Sequence, residues 1–255
     1  MPAKLKHSIS RLAERAGYTI VPTWRLELYP QAAFLRRFLR HLEIDCVFDV
    51  GANVGQYRDF LRRQVGYEGT IVSFEPIPEN VAILRQRARE DGRWLIEGYA
   101  LGRAAGSATF NVMASSEFSS FLEPDDSITD RFHGANEVAR RVEVEIRTLA
   151  HALPEIERRL DARAVYLKLD TQGYDVDVGQ GAGAAIERVR GLQMEASVQG
   201  IYAGAPDFGA SIRAFNDLGF ELSAIFPNNP DHFPVLYEFD CHMIARKYSG
   251  LRGTR

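Results

Sequence analysis

FDVGANVGQY (48–57) is the stretch from which the rest of the chain can be read. The apolar run CVFDV (46–50) reads as a strand, and GANVGQYRDFLRRQV turns on glycine and becomes a helix. Glycines at 51 and 55 permit backbone conformations and a close approach that a side chain would block,. The amides opening the next helix then face whatever is bound. Dinucleotide binders use G-x-G-x-x-G so that a pyrophosphate can sit on the helix terminus. Here the spacing is G-x-x-x-G, with Asn53 between the glycines. Asp49 at the strand end suits a cationic ligand group better than a phosphate.

Outward from this turn, GTIVSFEP (69–76) is the next strand. It ends at Glu75, twenty residues after Gly55, where an acidic side chain can accept both hydroxyls of a ribose,. A helix over 78–90 carries Val81, Ile83, Leu84 and Ala88. RWLIEGYAL (93–101) is a third strand, whose end sets Ala100 and Leu101 against the flat part of a ligand. Strands separated by 10–15-residue helical patterns imply parallel βαβ units. Their near-continuous apolar character suits a sheet covered on both faces. The rhythm breaks at 103–149, where SATFNVM (107–113) and RVEVEIRTL (141–149) read as an antiparallel hairpin. Its Ser- and acid-rich tip, ASSEFSSFLEPDDS, has the character of a lid, with Ser115, Ser116, Ser119 and Ser120 available to a ligand,.

The alternation resumes with strand VYLKLD (165–170), a helix across YDVDVGQGAGAAIE and strand GLQMEAS (191–197). A helix at 208–218, strand FELSAIFP (220–227) and a last strand near CHMIARK (241–247) follow. Upstream, helical spacing over 4–16 and 31–43 predicts two helices before the first strand. The expected organisation is an N-terminal helical cap (1–45), one domain (46–248) holding the 103–149 insertion, and a frayed tail (249–255).

FDVGANVGQY (48–57), SFEPIPENVAIL (73–84), YALG (99–102) and YLKLDTQGYDVDVGQGA (166–182) together resemble the FkbM-type methyltransferases. IRTLAHAL (146–153) and QMEAS (193–197) are weaker matches. The resemblance implies an α/β fold of the class I methyltransferase (Rossmann-like) kind. That is a doubly wound, seven-stranded, mostly parallel sheet, here with N-terminal helices and a β-hairpin insertion. It also implies S-adenosyl-L-methionine as cofactor and methylation of a hydroxyl oxygen. Asp49, Gly51, Ala52, Asn53, Gly55, Gln56, Tyr57, Glu75, Pro76, Ala100, Leu101, Ser119 and Asp170 are the expected cofactor contacts. The expected acceptor is a hydroxyl of a sugar, glycolipid or polysaccharide precursor, with a polyketide or other small natural product as the alternative. A nicotinamide-dependent oxidoreductase and a non-catalytic cofactor-binding scaffold are the rival classes.

Strand alternation puts Tyr166, Lys168 and Asp170 on one face and Val165, Leu167 and Leu169 on the other. The polar set in the neighbouring strand is Gln193, Glu195 and Ser197. Charged residues inside central strands are costly unless paired, so Lys168, Asp170 and Glu195 are expected to meet near the strands' carboxyl ends. A sulfonium methyl is already a strong electrophile, so catalysis needs in-line placement and a proton acceptor. Asp170 and Glu195 are the candidate bases, with Lys168 beside them. A hard-ligand metal site from Asp170, Asp175, Asp177, Asn228, Asn229, Asp231 and His232 is the rival way to acidify a hydroxyl. It is set aside because Asp175 and Asp177 fall at a helix start, where acids simply favour the dipole; no metal is expected. His133, His151 and His242 are isolated in sequence.

The 255 residues are 45% hydrophobic and 25% charged with net charge −3, as in an ordinary soluble globular protein,. The two cysteines, Cys46 and Cys241, give neither a disulfide framework nor zinc spacing, which predicts a cytoplasmic protein,. The first twenty residues contain no continuous apolar segment of the secretory kind, and no run of eighteen apolar residues predicts a transmembrane helix. Eight Lys or Arg against Glu14 and Glu27 within residues 1–41 allow peripheral contact with an anionic glycolipid or membrane,. No basic stripe interleaved with aromatics points to nucleic acid. The expected partner is a small-molecule or glycan acceptor, and a homodimer through the hairpin is a further expectation.

Overall fold

The computed structural model describes residues 12–13, 15–125, 134–228 and 234–250. Its strands are β1 (Cys46–Val50), β2 (Thr70–Phe74), β3 (Trp94–Glu97), β4 (Ala100–Leu101), β5 (Gly106–Met113), β6 (Val138–Arg147), β7 (Val165–Leu169), β8 (Val189–Ser197), β9 (Phe220–Pro227) and β10 (Glu238–Ala245). The α-helices are α1 (Tyr29–His41), α2 (Gln56–Phe60), α3 (Pro78–Ala88), α4 (Leu149–Leu160), α5 (Asp175–Gln180) and α6 (Phe208–Asp217). A π-helical turn, Leu61–Val65, prolongs α2.

Seven strands form one sheet in the order β3-β2-β1-β7-β8-β10-β9. The pairs from β3 to β8 are parallel, and β10 runs antiparallel to both β8 and β9. Every residue of β1 and β7 is buried, which explains their apolar runs. Cys46, Phe48 and Val50 enter a core with Leu149 and Leu153 of α4, Val178 of α5 and Phe215 of α6. Val47 enters the opposite core with Leu35 and Phe38 of α1, Leu61 and Leu84. Helices therefore cover both faces, and side-chain alternation along each strand assigns residues to one core or the other.

The face under α1 and α2 also carries a polar row. Register sets Ser73 of β2 beside Asp49 of β1, Asp49 beside Lys168 of β7, Lys168 beside Gln193 of β8, and Gln193 beside His242 of β10. A second sheet, β4-β6-β5, holds the 103–149 region; β4 joins β6 in parallel and β5 pairs with β6 antiparallel.

Several expected boundaries are corrected. The strand expected over 93–101 divides at Gly98 and Tyr99: β3 stays in the main sheet, while β4 pairs with β6 in the second. An element beyond the expected ones is α4, which buries Leu149, Ala152, Leu153 and Ile156 at helical spacing, with Pro154 inside it. The helix expected through YDVDVGQGAGAAIE stops as α5 after six residues. Gly183, at φ +49°, then opens a 3-10 segment, Gly183–Arg188. β10 begins at Glu238, three residues before the expected strand. Most of the 4–16 helix and residues 251–255 of the expected tail lie outside the described residues.

Candidate functional site

The turn after β1 is stitched to the end of β2. The amides of Gly51 and Ala52 both donate to the Phe74 carbonyl at 3.1 Å. Gly51 sits at φ +80°, and a Cβ there would lie 1.8 Å from the main-chain oxygen of Asp170. Asn53 takes the left-handed conformation (φ +47°) and donates its amide to Glu75 Oε2 at 2.8 Å. The Ile77 amide donates to Glu75 Oε1, also at 2.8 Å. Burial pushes the Glu75 carboxyl up to about 7, although these two amides pull the other way. Asn53 Oδ1 accepts from Asn80 and from the Ser116 hydroxyl (2.9 Å), which draws the 114–125 loop onto the turn.

A cavity of about 490 Å³ opens at the carboxyl ends of the central strands, where open α/β sheets bind their ligands. Its wall near Glu75 is apolar, formed by Phe74, Ile77, Ala100, Leu101, Phe110 and Phe121. Of the residues expected from sequence, Gly51, Ala52, Asn53, Gln56, Tyr57, Glu75, Pro76, Ala100, Leu101, Ser119, Lys168, Asp170 and Glu195 line it. Asp49 and Gly55 do not. Asp49 is fully buried beneath the turn, paired with Lys168 Nζ at 3.1 Å and accepting the Ser73 hydroxyl at 2.9 Å. Gly55 faces the indole of Trp94.

The far end of the cavity is polar. Lys168 bridges Asp49 and Asp170 (3.3 Å). Burial alone would lower its pKa, but Asp170 and Asp49 outweigh that and raise it, so Lys168 stays an ammonium. Gln172, at φ +53°, extends Nε2 to Asp170 Oδ1 and to Glu195 Oε2, both at 2.8 Å. Asn228 Nδ2 donates to Glu195 Oε1 at 2.8 Å, and Gln31 Nε2 of α1 donates to Asp240 Oδ2 at 2.6 Å. Burial and the nearby Glu238, Asp170, Asp240 and Asp175 hold Glu195 well above the usual carboxylate range. Sequence reading brought Lys168, Asp170 and Glu195 together but missed Gln31, Gln172, Glu238 and Asp240. Had the last strand been started at Glu238, its alternation would have set Glu238 and Asp240 on the face of Glu195.

His242 is fully buried, hydrogen-bonded to the Tyr166 hydroxyl at 2.8 Å, and driven down to about 3 by burial, so it stays neutral. His151 is exposed beside Thr148, and His133 lies outside the described residues. Asp175 is occupied by the Thr171 amide, and Asp177 pairs with Arg103. Asn229, Asp231 and His232 lie outside the described residues. No group of three or more acidic, His or Cys side chains is placed to hold a metal ion among the described residues.

These carboxyls make stability depend on pH. Glu75 and Glu238 rise from 4.5 to about 7, and Asp175 from 3.8 to about 6, each chiefly through burial. A carboxyl with a raised folded pKa holds its proton more tightly in the native state, so stability is full below the unfolded value and falls as pH climbs through the folded one. Thermal unfolding of the ligand-free protein is expected to drop by about 5 °C or more between pH 5 and pH 8. His242, kept neutral by burial, works the other way, because its unfolded form is protonated below about 6.5 and stability rises with pH toward that value,. The three carboxyls together outweigh it; Glu238→Gln should shrink the drop, and a flat or rising profile would contradict the burial of the carboxyls.

A seven-stranded sheet of this order, reversed only at β10 and opening a cavity over β1 and β2, defines a class I methyltransferase fold. The FkbM methyltransferase domain matches residues 49–222, and the chain belongs to this family. The family so matched is one of methyltransferases. Among solved structures it is similar to an FkbM methyltransferase from Methylobacillus flagellatus KT (14% identity, TM-score 0.48, 78% of this chain). It spans 43% of that protein's length. It is also similar to fibrillarin from Aeropyrum pernix, in complex with natively bound S-adenosyl-L-methionine (13% identity, TM-score 0.46, 84% of this chain and 73% of that one). A third is magnesium protoporphyrin IX methyltransferase from Synechocystis PCC 6803 (11% identity, TM-score 0.45, 93% and 90%). No curated protein matches the sequence. Among the described residues no helix is long and apolar enough to cross a membrane.

Proposed function

We propose that this chain is an S-adenosyl-L-methionine-dependent O-methyltransferase acting on a hydroxyl of a sugar, glycolipid or polysaccharide precursor. The observation that carries the reading is the two-part cavity, apolar beside Glu75 and rich in carboxylates and amides beyond Asp170. The first part fits the cofactor. Glu75 accepts from the Asn53 and Ile77 amides and is also reached by the Asn80 side chain, and the acceptor capacity left on its two oxygens would serve the ribose hydroxyls,. Ala100, Leu101 and Phe110 offer a flat base an apolar wall. Gly51 lets the β1 turn pack directly against the main chain of Asp170, so that both residues line the cavity. The bound cofactor would supply an electrophilic methyl group.

The protein's own part is to bind, orient and deprotonate the acceptor. Asp170, Glu195, Glu238 and Asp240 line the second part beside Asn228, Gln31 and Gln193. Such a surface accepts and donates hydrogen bonds to several hydroxyls at once and repels anionic groups. Asp170 and Glu195 lie where β7 and β8 end and take the acceptor proton, while Lys168 fixes Asp170 from below,.

Calorimetric titration with S-adenosylhomocysteine and, separately, NAD(H) tests the cofactor. Methyl-labelled S-adenosylmethionine with a panel of neutral sugars, glycolipid precursors and polyketide alcohols tests the acceptor. Binding of S-adenosylhomocysteine alone and label on a sugar hydroxyl are expected. NAD(H) binding overturns the cofactor, and label confined to polyketide alcohols overturns the acceptor class. In the same titration Glu75→Ala should weaken S-adenosylhomocysteine about tenfold or more, the loss of charge-assisted hydrogen bonds to the ribose.

A further inference from the structure

Tyr202 is 3% exposed, and its hydroxyl lies 2.8 Å from the main-chain oxygen of Phe118 and 2.7 Å from Oε1 of Gln172. Both atoms are acceptors, whereas a phenol has one proton to give. Tyr202 therefore serves one of them at a time. When it donates to Gln172, the amide presents Nε2 to Asp170 and Glu195, and the bond to Phe118 is lost. When it donates to Phe118, the group of Gln172 facing Tyr202 must be a donor, so the amide is turned over. Oε1 of Gln172 then faces the two carboxyls. That contact is favourable only when one carboxyl carries a proton.

Glu195 is the carboxyl placed to carry it. Around it stand Glu238 and Asp240 of β10, Asp175 of α5, and Asp170, with the ammonium of Lys168 on β7 spent on Asp49 and Asp170. Asp170 has 37% of its side chain exposed and can turn from Gln172 toward Lys168 and solvent. The segment bearing Tyr202 already pairs with the loop, through Ala203 N–H to Glu123 and a β-bridge between Tyr202 and Pro124. The 3-10 turn Ser116–Phe118 beyond it lines the cavity.

We propose that Gln172 and Tyr202 are positioning residues that tie a proton on Glu195 to the seating of the Ser116–Phe118 turn over the cavity. A neutral Glu195 donates to the turned amide, Gln172 donates to Tyr202, and Tyr202 donates to Phe118, which pins the turn. An ionised Glu195 draws the amide the other way, and the pin is released. The inference rests on the proposed function only for the use of Glu195 as a proton acceptor. The latch itself belongs to the ligand-free protein.

Hydrogen exchange of the full chain without ligand, read by mass spectrometry as protection factors across the whole pH range in which the chain stays folded, tests it. Peptides spanning 114–122 should lose about fivefold protection as pH rises, the change expected for one lost hydrogen bond, while peptides spanning 165–170 stay level. Tyr202→Phe should give low, pH-independent protection in the loop. Glu195→Gln should give high, pH-independent protection, because its amide always offers an N–H to the turned Gln172. A level wild-type profile, or either variant following the wild-type curve, overturns the proposal. Should Tyr202→Phe fail to fold, wild type and Glu195→Gln decide it. Absence of S-adenosylhomocysteine binding would sink the proposed function and leave this result standing.

Discussion

Replacing Gly51 with alanine is expected to destabilise the protein by about 3–5 kcal/mol and to abolish S-adenosylhomocysteine binding. Two costs add. The residue is held at φ +80°, a region L side chains occupy at a cost of about 1–2 kcal/mol,. The new methyl would also stand 1.8 Å from the main-chain oxygen of Asp170, and a backbone atom cannot swing aside as a flexible side chain can. The Asp170 amide donates to Val50, so moving Asp170 pulls on the pairing of β1 with β7 at the point where both meet the cavity. The melting temperature should fall by roughly 10 °C for a chain of this size. A variant that melts like wild type and binds S-adenosylhomocysteine normally would show that the turn is not packed as described.

The second large effect concerns turnover. Asp170→Asn and Glu195→Gln keep the shape of each side chain and remove its capacity to take a proton. The more important of the two should lower methyl transfer by about 10²–10³-fold, within the range of general-base contributions. For Glu195→Gln, S-adenosylhomocysteine affinity should change only about threefold or less, since Glu75, Asp170 and the Gly51 turn remain intact. Single and double variants with a labelled methyl donor separate the roles. If the double variant is no slower than the worse single one, the carboxyls act as a unit. Near-normal turnover in both single variants would remove them from the chemistry.

What the sequence made legible follows from how locally each feature is encoded. The β1 turn, Glu75 at the end of β2 and the alternation of strands with helices along the chain were readable because apolar runs and glycine spacing act over ten residues or fewer, whereas the order of the strands in the sheet was not. Lys168, Asp170 and Glu195 could be brought together because alternation fixes the face of each strand residue. Asp49 was legible as a charged strand end, but whether it faced ligand or lysine depended on Lys168 lying beside it, 119 residues later in the chain. Gln31 was hidden for the same reason, because its role comes from reaching Asp240 from α1. Gln172 and Tyr202 are joined only through tertiary contact, and neither sits in a periodic pattern that would mark it. The helix α4 was obscured by Pro154, a residue usually read as a helix breaker,.

The polar row from Ser73 through Asp49, Lys168 and Gln193 to His242 has a further consequence, during assembly of the sheet. Five strands of similar apolar composition can pair in several registers of comparable hydrophobic gain. Sliding one of them by a single residue turns its side chains to the opposite face. For β1 that would drive Asp49 into the layer of Phe48, Leu167 and Met194, and for β7 it would carry Lys168 there. A charge stranded in that layer costs several kcal/mol. Misaligned pairings are thus penalised one strand at a time, and the row acts as a checksum on the alignment of the sheet before any ligand arrives.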